Sequence, residues 1–333
     1  MTSNLKNTFP LPNGQYLNVD ETNTWLNFSL DNTPLVELNK KQTSNTLTIF
    51  PQKWTFKYRN QAIQLANYWL FTRYLSYSRI IWKSQDTLES CDSLFFCDKT
   101  KTYYCDRDQF WQLPNLWLVK PTVPYPHQMQ MSGEKRHPRR PSKPKGEVYR
   151  RFDNHLNTWI SIRTLDINSD LALFNCWQNL PRVSKFWQES GDLERHRKYL
   201  QKLKDDPHTL TLIGCFNDEP FAYFEAYWAK EDRISPYYDV SDYDRGIHML
   251  VGEDHHRGPH KVTSWLSGLA HYLFLDDPRT QRIVAEPRAD NERMINYMIK
   301  NRFHCCREFD FPHKRAALML MSRESFFDHC NLA

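Results

Sequence analysis

The chain has 333 residues, 40% of them apolar and 25% charged, and a net charge of +5. That length suits one large or two ordinary domains, of which two are expected, and the apolar share can supply real cores, while the small basic surplus suits an anionic cofactor yet is ordinary for a soluble protein. No run of about 18 apolar residues suits a membrane span, and the first residues lack the basic and apolar regions of a signal peptide, so a cytoplasmic protein without a membrane partner is expected.

Thr46 to Phe50 has strand composition, and Gln61 to Trp82 has the apolar spacing of a helix. Cys91 to Trp117 mixes short apolar runs with Asp and Lys and reads as strands and turns. The composition then changes over Glu134 to Arg151, EKRHPRRPSKPKGEVYRR, where prolines and like charges replace periodicity. This predicts an exposed linker between an N-terminal domain, 1–133, and a second domain, 152–333. A nucleic-acid arm is the alternative, but no aromatic platform is interleaved with the basic residues, and no nucleic-acid partner is expected.

Beyond the linker, helices are predicted near Ser169 to Gln178 and Leu193 to Lys204. Strands Thr209 to Phe216 and Phe221 to Trp228 flank a four-residue turn, Asn217 to Pro220, which predicts an antiparallel hairpin. Strand Ile247 to Glu253 runs into the loop Asp254 to Lys261. After it, Val262, Trp265, Leu266, Leu269 and Leu273 mark one helix face. Strand Gln281 to Glu286 precedes a helix that Asp290 or Asn291 can cap, and two strands, CCREFDF and AALMLMS, finish an α+β arrangement. The loop before the long helix is a natural pyrophosphate site, because a helix start offers unpaired N–H groups and the positive end of its dipole. Arg257 and Lys261 would add charge there, whereas Pro259 removes one donor.

A strand ending in HMLVGE, an RG-containing turn and a following helix resemble the acyl-CoA site of the GNAT superfamily. FWQESG (186–191), LIGCFNDEPFAYFEAYWAKEDR (212–233), DRGIHMLVGE (244–253), RGPH, DDPRTQRIVAEPRADN (276–291) and EFDFPHKRA (308–316) are similar to the hydroxamate-siderophore acyltransferases. The likeness runs from about Gly146 to Phe327. It implies a GNAT fold, a mixed and mostly antiparallel sheet flanked by helices, preceded by a smaller α+β N-terminal domain that in relatives looks like a degenerate acyltransferase half. It also implies transfer of an acetyl, succinyl or longer acyl group from acyl-CoA, with acetyl-CoA or succinyl-CoA as the leading donors, to the hydroxylamine nitrogen of a hydroxylated lysine or diamine, and association with other siderophore-pathway enzymes.

By the same resemblance His248 is the general base and Asp290 its catalytic partner, although Asp290 also reads as a helix cap. Leu250, Val251, Arg257, Gly258, His260, Lys261 and Asn291 are placed on the acyl-CoA, with backbone N–H groups near Leu250 and Val251 polarising the carbonyl. Trp187, Gln188, Glu225 and Tyr227 are placed near the acceptor, though sheet packing would also account for Tyr227. His260 stands where the superfamily usually has a small residue, and Met298 where a tyrosine is common, so no tyrosine general acid is expected at that position. His313 to Arg315 reads as a turn or a salt-bridged surface.

Eight cysteines (Cys91, Cys97, Cys105, Cys176, Cys215, Cys305, Cys306, Cys330) lack CxxC spacing and are expected as thiols. His255 with His256, and Cys305 with Cys306, would point to opposite faces of a strand, so no metal site is expected. Two other readings remain: acylation of an unhydroxylated amine, and a non-catalytic acyl-CoA-binding scaffold.

Overall fold

A computed structural model describes residues 5–86, 88, 93–100, 102–119, 126–329 and 332. The chain divides into two compact units, Met1–Leu116 with Leu332–Ala333, and Trp117–Asn331. In the first unit, strands β1 (Leu5–Pro10), β2 (Tyr16–Glu21), β3 (Trp25–Leu30), β4 (Thr33–Gln42) and β5 (Leu47–Trp54) form a meander. Alternation drives it: Leu17, Val19, Leu26, Phe28 and Leu30 point inward while their neighbours stay nearer the surface. Helix α1 (Arg59–Arg73) then leads to β6 (Arg79–Lys83), β7 (Phe96–Cys97), β8 (Thr102–Asp106) and α2 (Arg107–Trp111).

The second unit begins with a hairpin, β9 (Met129–Ser132) and β10 (Lys135–Pro138), and continues into β11 (Glu147–Asp153) and β12 (Thr158–Thr164). Three helices follow: α3 (Ile167–Gln178), α4 (Pro181–Trp187) and α5 (Leu193–Asp205). Next come β13 (Thr209–Phe216), β14 (Glu219–Trp228), β15 (Arg245–Val251), α6 (Pro259–Asp276) and β16 (Arg282–Ala285). The chain finishes with α7 (Glu292–Lys300), β17 (His304–Phe311), β18 (Lys314–Ser322) and α8 (Arg323–His329). One face of the sheet packs under α3 to α5 through Phe174, Trp177, Leu200, Ile213 and Tyr223. Phe224, pointing to the other face, stacks on Trp265 of α6 with ring centroids 5.4 Å apart. Val262, Trp265, Leu266, Leu269 and Leu273 are all buried, as the helical spacing requires.

The two eight-stranded sheets share one wiring. Their orders are β1-β2-β3-β4-β5-β6-β8-β7 and β11-β12-β13-β14-β15-β16-β18-β17. Each has a single parallel step, β5 to β6 and β15 to β16, made through the long helix between them. The difference is that α3 to α5 lie between β12 and β13, whereas only Thr22–Thr24 separate β2 from β3.

Several expectations need correction. The predicted helix Gln61–Trp82 ends at Arg73, and Arg79–Lys83 is a strand in which Ile80 and Trp82 point inward, an alternation that β-branched and aromatic residues favour. The hairpin turn shrinks to Asn217 and Asp218, both at positive φ (47° and 67°), the geometry of a two-residue turn. The expected linker 134–151 is built into the second unit: Lys135–Pro138 pairs with β9, and Glu147 opens β11. Its charges are used internally, because Arg140 makes paired bonds of 2.6 Å to Glu231 and Lys135 donates to the carbonyl of Glu231 at 2.6 Å. The boundary therefore falls at 116/117 rather than 133/134. Cys97, Cys176, Cys215, Cys305 and Cys306 are thiols, while Cys91 and Cys330 lie outside the described residues. Among the described residues no helix is long and apolar enough to cross a membrane.

Candidate active site

Parallel pairing between β15 and β16 covers only Arg245 with Ile283 and Gly246 with Val284, after which β15 runs on to Val251 without that neighbour. The sheet is thereby opened along one edge of β15. Gly252 donates its N–H to Phe221 across β14. By the alternation of a strand, Leu250 and His248 direct their backbone groups to β14, and Met249 and Val251 direct theirs to the open edge. Arg182 there takes the carbonyls of Val251, at 2.6 Å, and of Gly252.

Register assembles the polar centre of the opening. Glu225 lies opposite His248 across β14 and β15, and cross-strand partners share a face. Glu286, the residue after β16, closes the other side. His248 Nδ1 is 2.8 Å from Glu225 Oε2, and its Nε2 is 2.7 Å from Glu286 Oε1. Glu225 also accepts from Tyr199 (2.5 Å) and Tyr223 (2.9 Å), and Glu286 accepts from Tyr227 (2.7 Å). Burial opposes charge on the ring, but the carboxylates of Glu286 and Glu225 overcome it and push the His248 pKa up to about 10. Burial would likewise raise both carboxyl groups, yet the imidazolium and the tyrosine hydroxyls hold them below their ordinary range. The resting centre is carboxylate, imidazolium, carboxylate, with both ring nitrogens donating.

A cleft of about 570 Å³ meets this centre and is walled by Gln188, Tyr227, Arg233, His248, Glu286 and Lys314 among others. A second, of about 270 Å³, is walled by Arg182, Leu250, Val251, Arg257, Gly258 and Tyr297 among others. The two share Phe186, Trp187, Met249, Asn291 and Met294, so they adjoin at the open edge of β15. The smaller cleft reaches the loop before α6. Gly258 adopts φ +128° there, and a Cβ would meet the His260 ring at 3.0 Å, so glycine is required. The first bond of α6 runs from Val262 to Gly258 at 2.9 Å, leaving His260 and Lys261 as the N–H groups of the first turn that can face an anion.

The expected site residues therefore gather unevenly. Trp187 lies between the clefts with its ring 6.3 Å from that of His248, Gln188 ends α4 at φ 57°, and Glu225 and Tyr227 belong to the polar centre. Val251 and Arg257 line the smaller cleft, Arg257 paired to Asp254 at 3.0 Å, while the N–H of Leu250 faces β14. Asn291 rather than Asp290 caps α7. Asp290 is exposed and pairs with Arg288 through two 3.0 Å bonds, its carboxyl held low by that guanidinium, and it does not join His248. Sequence reasoning missed Glu286, Tyr199, Tyr223 and Tyr297. The one available signal was a carboxylate ending the strand QRIVAE beside the predicted opening. Met298 is buried, and it is the neighbouring Tyr297 that reaches the smaller cleft.

His255 and His256 sit in a 3₁₀ turn, not a strand, so both rings face Glu219, at 2.9 and 3.2 Å. The three donors lie within 4.8 Å of one another, a grouping with the composition of a metal ligand set. Lys261 Nζ donates to His256 Nδ1 at 2.9 Å, which leaves the hydrogen on Nε2, pointing at Glu219. In this arrangement the Lys261 ammonium already supplies the positive charge of the loop.

A family model described as an acetyltransferase (GNAT) domain matches residues 166–311. A protein of Schizosaccharomyces pombe with a provisional lysine N-acyltransferase name is 49% identical over 223 residues, 67% of this chain and 66% of that protein. The N(6)-hydroxylysine O-acetyltransferase of Escherichia coli is 41% identical over 257 residues, 77% of this chain and 81% of that enzyme. An N(5)-hydroxyornithine:cis-anhydromevalonyl coenzyme A-N(5)-transacylase of Beauveria bassiana is 49% identical over 200 residues, 59% of this chain and 44% of that protein. The matched part thus spans from under half to about four fifths of these relatives.

Proposed function

The chain belongs to the hydroxamate-siderophore acyltransferases of the GNAT superfamily, and from that membership we propose that it moves an acyl group from acyl-CoA to the hydroxylamine nitrogen of an N-hydroxylated amine. The observation carrying this reading is a polar centre, Glu225–His248–Glu286, set where two clefts adjoin at an opened strand edge. The smaller cleft takes the acyl-CoA, with its pyrophosphate toward Arg257, Gly258, His260 and Lys261, and the larger takes the acceptor. Nitrogen attacks the thioester carbon, the C–N bond forms, the C–S bond breaks, and the thiol leaves. The N–H groups of Met249 and Val251, on the open edge, are the backbone donors for the carbonyl oxygen. Tyr297, which lines the smaller cleft, supplies a hydroxyl that can protonate the departing sulfur.

The state of His248 bears on which amine is used. With both nitrogens donating, the ring has no lone pair for stripping an alkylammonium of pKa about 10.4. A hydroxylamine is already unprotonated near neutral pH and sheds its proton only after attack, when a carboxylate of the centre is base enough. We therefore assign proton removal to the Glu225–His248–Glu286 group acting together rather than to a neutral His248. The product is a hydroxamate, whose two oxygens chelate hard cations such as ferric ion. Acetyl-CoA and succinyl-CoA are the donors to assay first, and the cytoplasm, where acyl-CoA is available, is the place assigned to the reaction.

Competition between N6-hydroxylysine and lysine, read as a ratio of kcat/KM with thiol release as the signal, tests this. A ratio of about 10² or more is expected. A ratio at or below one for hydroxylysine, hydroxyornithine and hydroxycadaverine alike, each against its parent amine, sinks the hydroxylamine reading and leaves the unhydroxylated amine as acceptor.

A further inference from the structure

We propose that Arg233 and Lys314 form a carboxylate clamp in the larger cleft, so that the acceptor is a hydroxylated α-amino acid held by its carboxylate while its hydroxylamino group reaches His248. This rests on the acyl-transfer reading above and adds to it the residues that choose the acceptor.

The two cations come from distant parts of the chain. Arg233 lies in the loop after β14, and Lys314 opens β18. Both converge on the Phe311 ring, the guanidinium and the ammonium each 5.5 Å from its centroid. Both also meet Glu286: Arg233 is 3.6 Å from Oε1, and Lys314 Nζ donates to the backbone oxygen at 2.6 Å. The Glu286 carboxylate is not a full counterion for them, because His248 and Tyr227 already hold it. Arg288, on the same wall, is neutralised by Asp290. The nearby Asp232 accepts the N–H of Ile234 and lies 3.7 Å from His208.

Arg233 and Lys314 therefore set two cations on the wall of the cavity beside the polar centre, where the facing carboxylates of Glu286 and Asp232 are shared with other partners. Burial is the largest influence on the Lys314 ammonium and holds it below its ordinary pKa, against the attraction of Glu286 and with the weaker repulsion of Arg233 and Arg288. His313, stacked on Phe311, is held low as well, by burial and then by Arg233 and Lys314, so its ring adds a neutral wall. Arginine and lysine together on an aromatic platform suit a carboxylate, with the fork of Arg233 taking two oxygens and Lys314 acting as a point charge. Arg233 approaches the same Glu286 oxygen that His248 touches, so clamp and ring lie one carboxylate apart. A flexible amino-acid side chain bridges that separation.

The experiment compares N6-hydroxylysine with N-hydroxycadaverine, which differs by the carboxylate alone, under saturating acetyl-CoA. The intact enzyme should prefer the amino acid by about 10–100-fold in kcat/KM, the range of one lost charge-assisted contact. Arg233→Met should bring that ratio toward one through a higher KM for hydroxylysine, and Arg233→Lys should restore part of it. Lys314→Met is the second variant, with a thermal melt to show that the fold is kept. A ratio unchanged in both variants overturns the proposal. So does a loss appearing only between succinyl-CoA and acetyl-CoA with one acceptor, since the clamp would then serve the acyl chain. Calorimetric binding of hydroxylysine against its methyl ester reads the clamp without turnover. An acid-over-ester preference that Arg233→Met abolishes supports the clamp even if acyl transfer itself were refuted, and equal binding of acid and ester refutes it.

Discussion

Glu225 and Glu286 give His248 a different character from that of a free imidazole, and the difference is measurable one side chain at a time. Removing the charge of Glu286 with Glu286→Gln frees one ring nitrogen, takes away a carboxylate that can receive the nitrogen's proton, and leaves Tyr227 donating to an amide. A loss in kcat of about 10²–10⁴-fold is expected. Asp290→Asn, an exposed change beside Arg288, should stay within about threefold of the intact enzyme. Equal losses in the two variants, measured by thiol release, would return Asp290 to the reaction. The motifs around His248 and Glu225 singled both out in the sequence, and the fold brings the two within 2.8 Å of each other. The sequence left Glu286 unread because partnership across β15 and β16 depends on which residues stop pairing, and no local pattern reports that.

At the level of elements the site depends on where β16 ceases to follow β15, and Gly246 marks that place. The ring of Tyr227 lies across it: a Cβ at 246 would fall 1.9 Å from the ring edge. Gly246→Ala must therefore displace the side chain whose hydroxyl holds Glu286, costing about 1–3 kcal/mol of stability by overpacking and reducing kcat together with it. Urea unfolding with the same midpoint as the intact protein would show that the contact yields without cost. Elements with strong periodicity were legible: α6 follows its five apolar positions, and α3, α5, β13 and β14 lie close to where composition puts them. The join of α1 to β6 was not, because apolar residues continue through Arg79–Lys83 and only the change of period from helix to strand separates the two.

Across the whole molecule, the half-buried ion triad links folding to pH. His248 has its pKa raised from 6.5 to about 10, so its contribution to stability is full below about 6.5, declines above that, and is gone beyond about 10. The stability advantage of the intact protein over His248→Gln should accordingly shrink as pH rises from 6.5 to 10. A gap in Tm that stays constant over that range would mean that the ring is not charged in the folded state. Division into two units was legible in outline, but the boundary was not, since a run of Pro, Lys and Arg imitates a tether even when Arg140 and Lys135 are folded into ion pairs and carbonyl contacts. The first four strands of the amino-terminal unit also went unread, two of them six-residue strands with inward residues at every second position, a signal too short to separate from loop.

That both sheets follow one wiring bears on ancestry. Tandem copying of a single half, followed by divergence, yields two eight-stranded sheets with the same parallel step at the same place. In the second sheet the connection from β12 to β13 holds three helices, two of which, α4 and α5, wall the larger cleft, whereas in the first it is the bare tripeptide Thr22–Thr24. The shared framework is thus common to both sheets, while the three-helix insertion between the second and third strands is found in the second sheet alone.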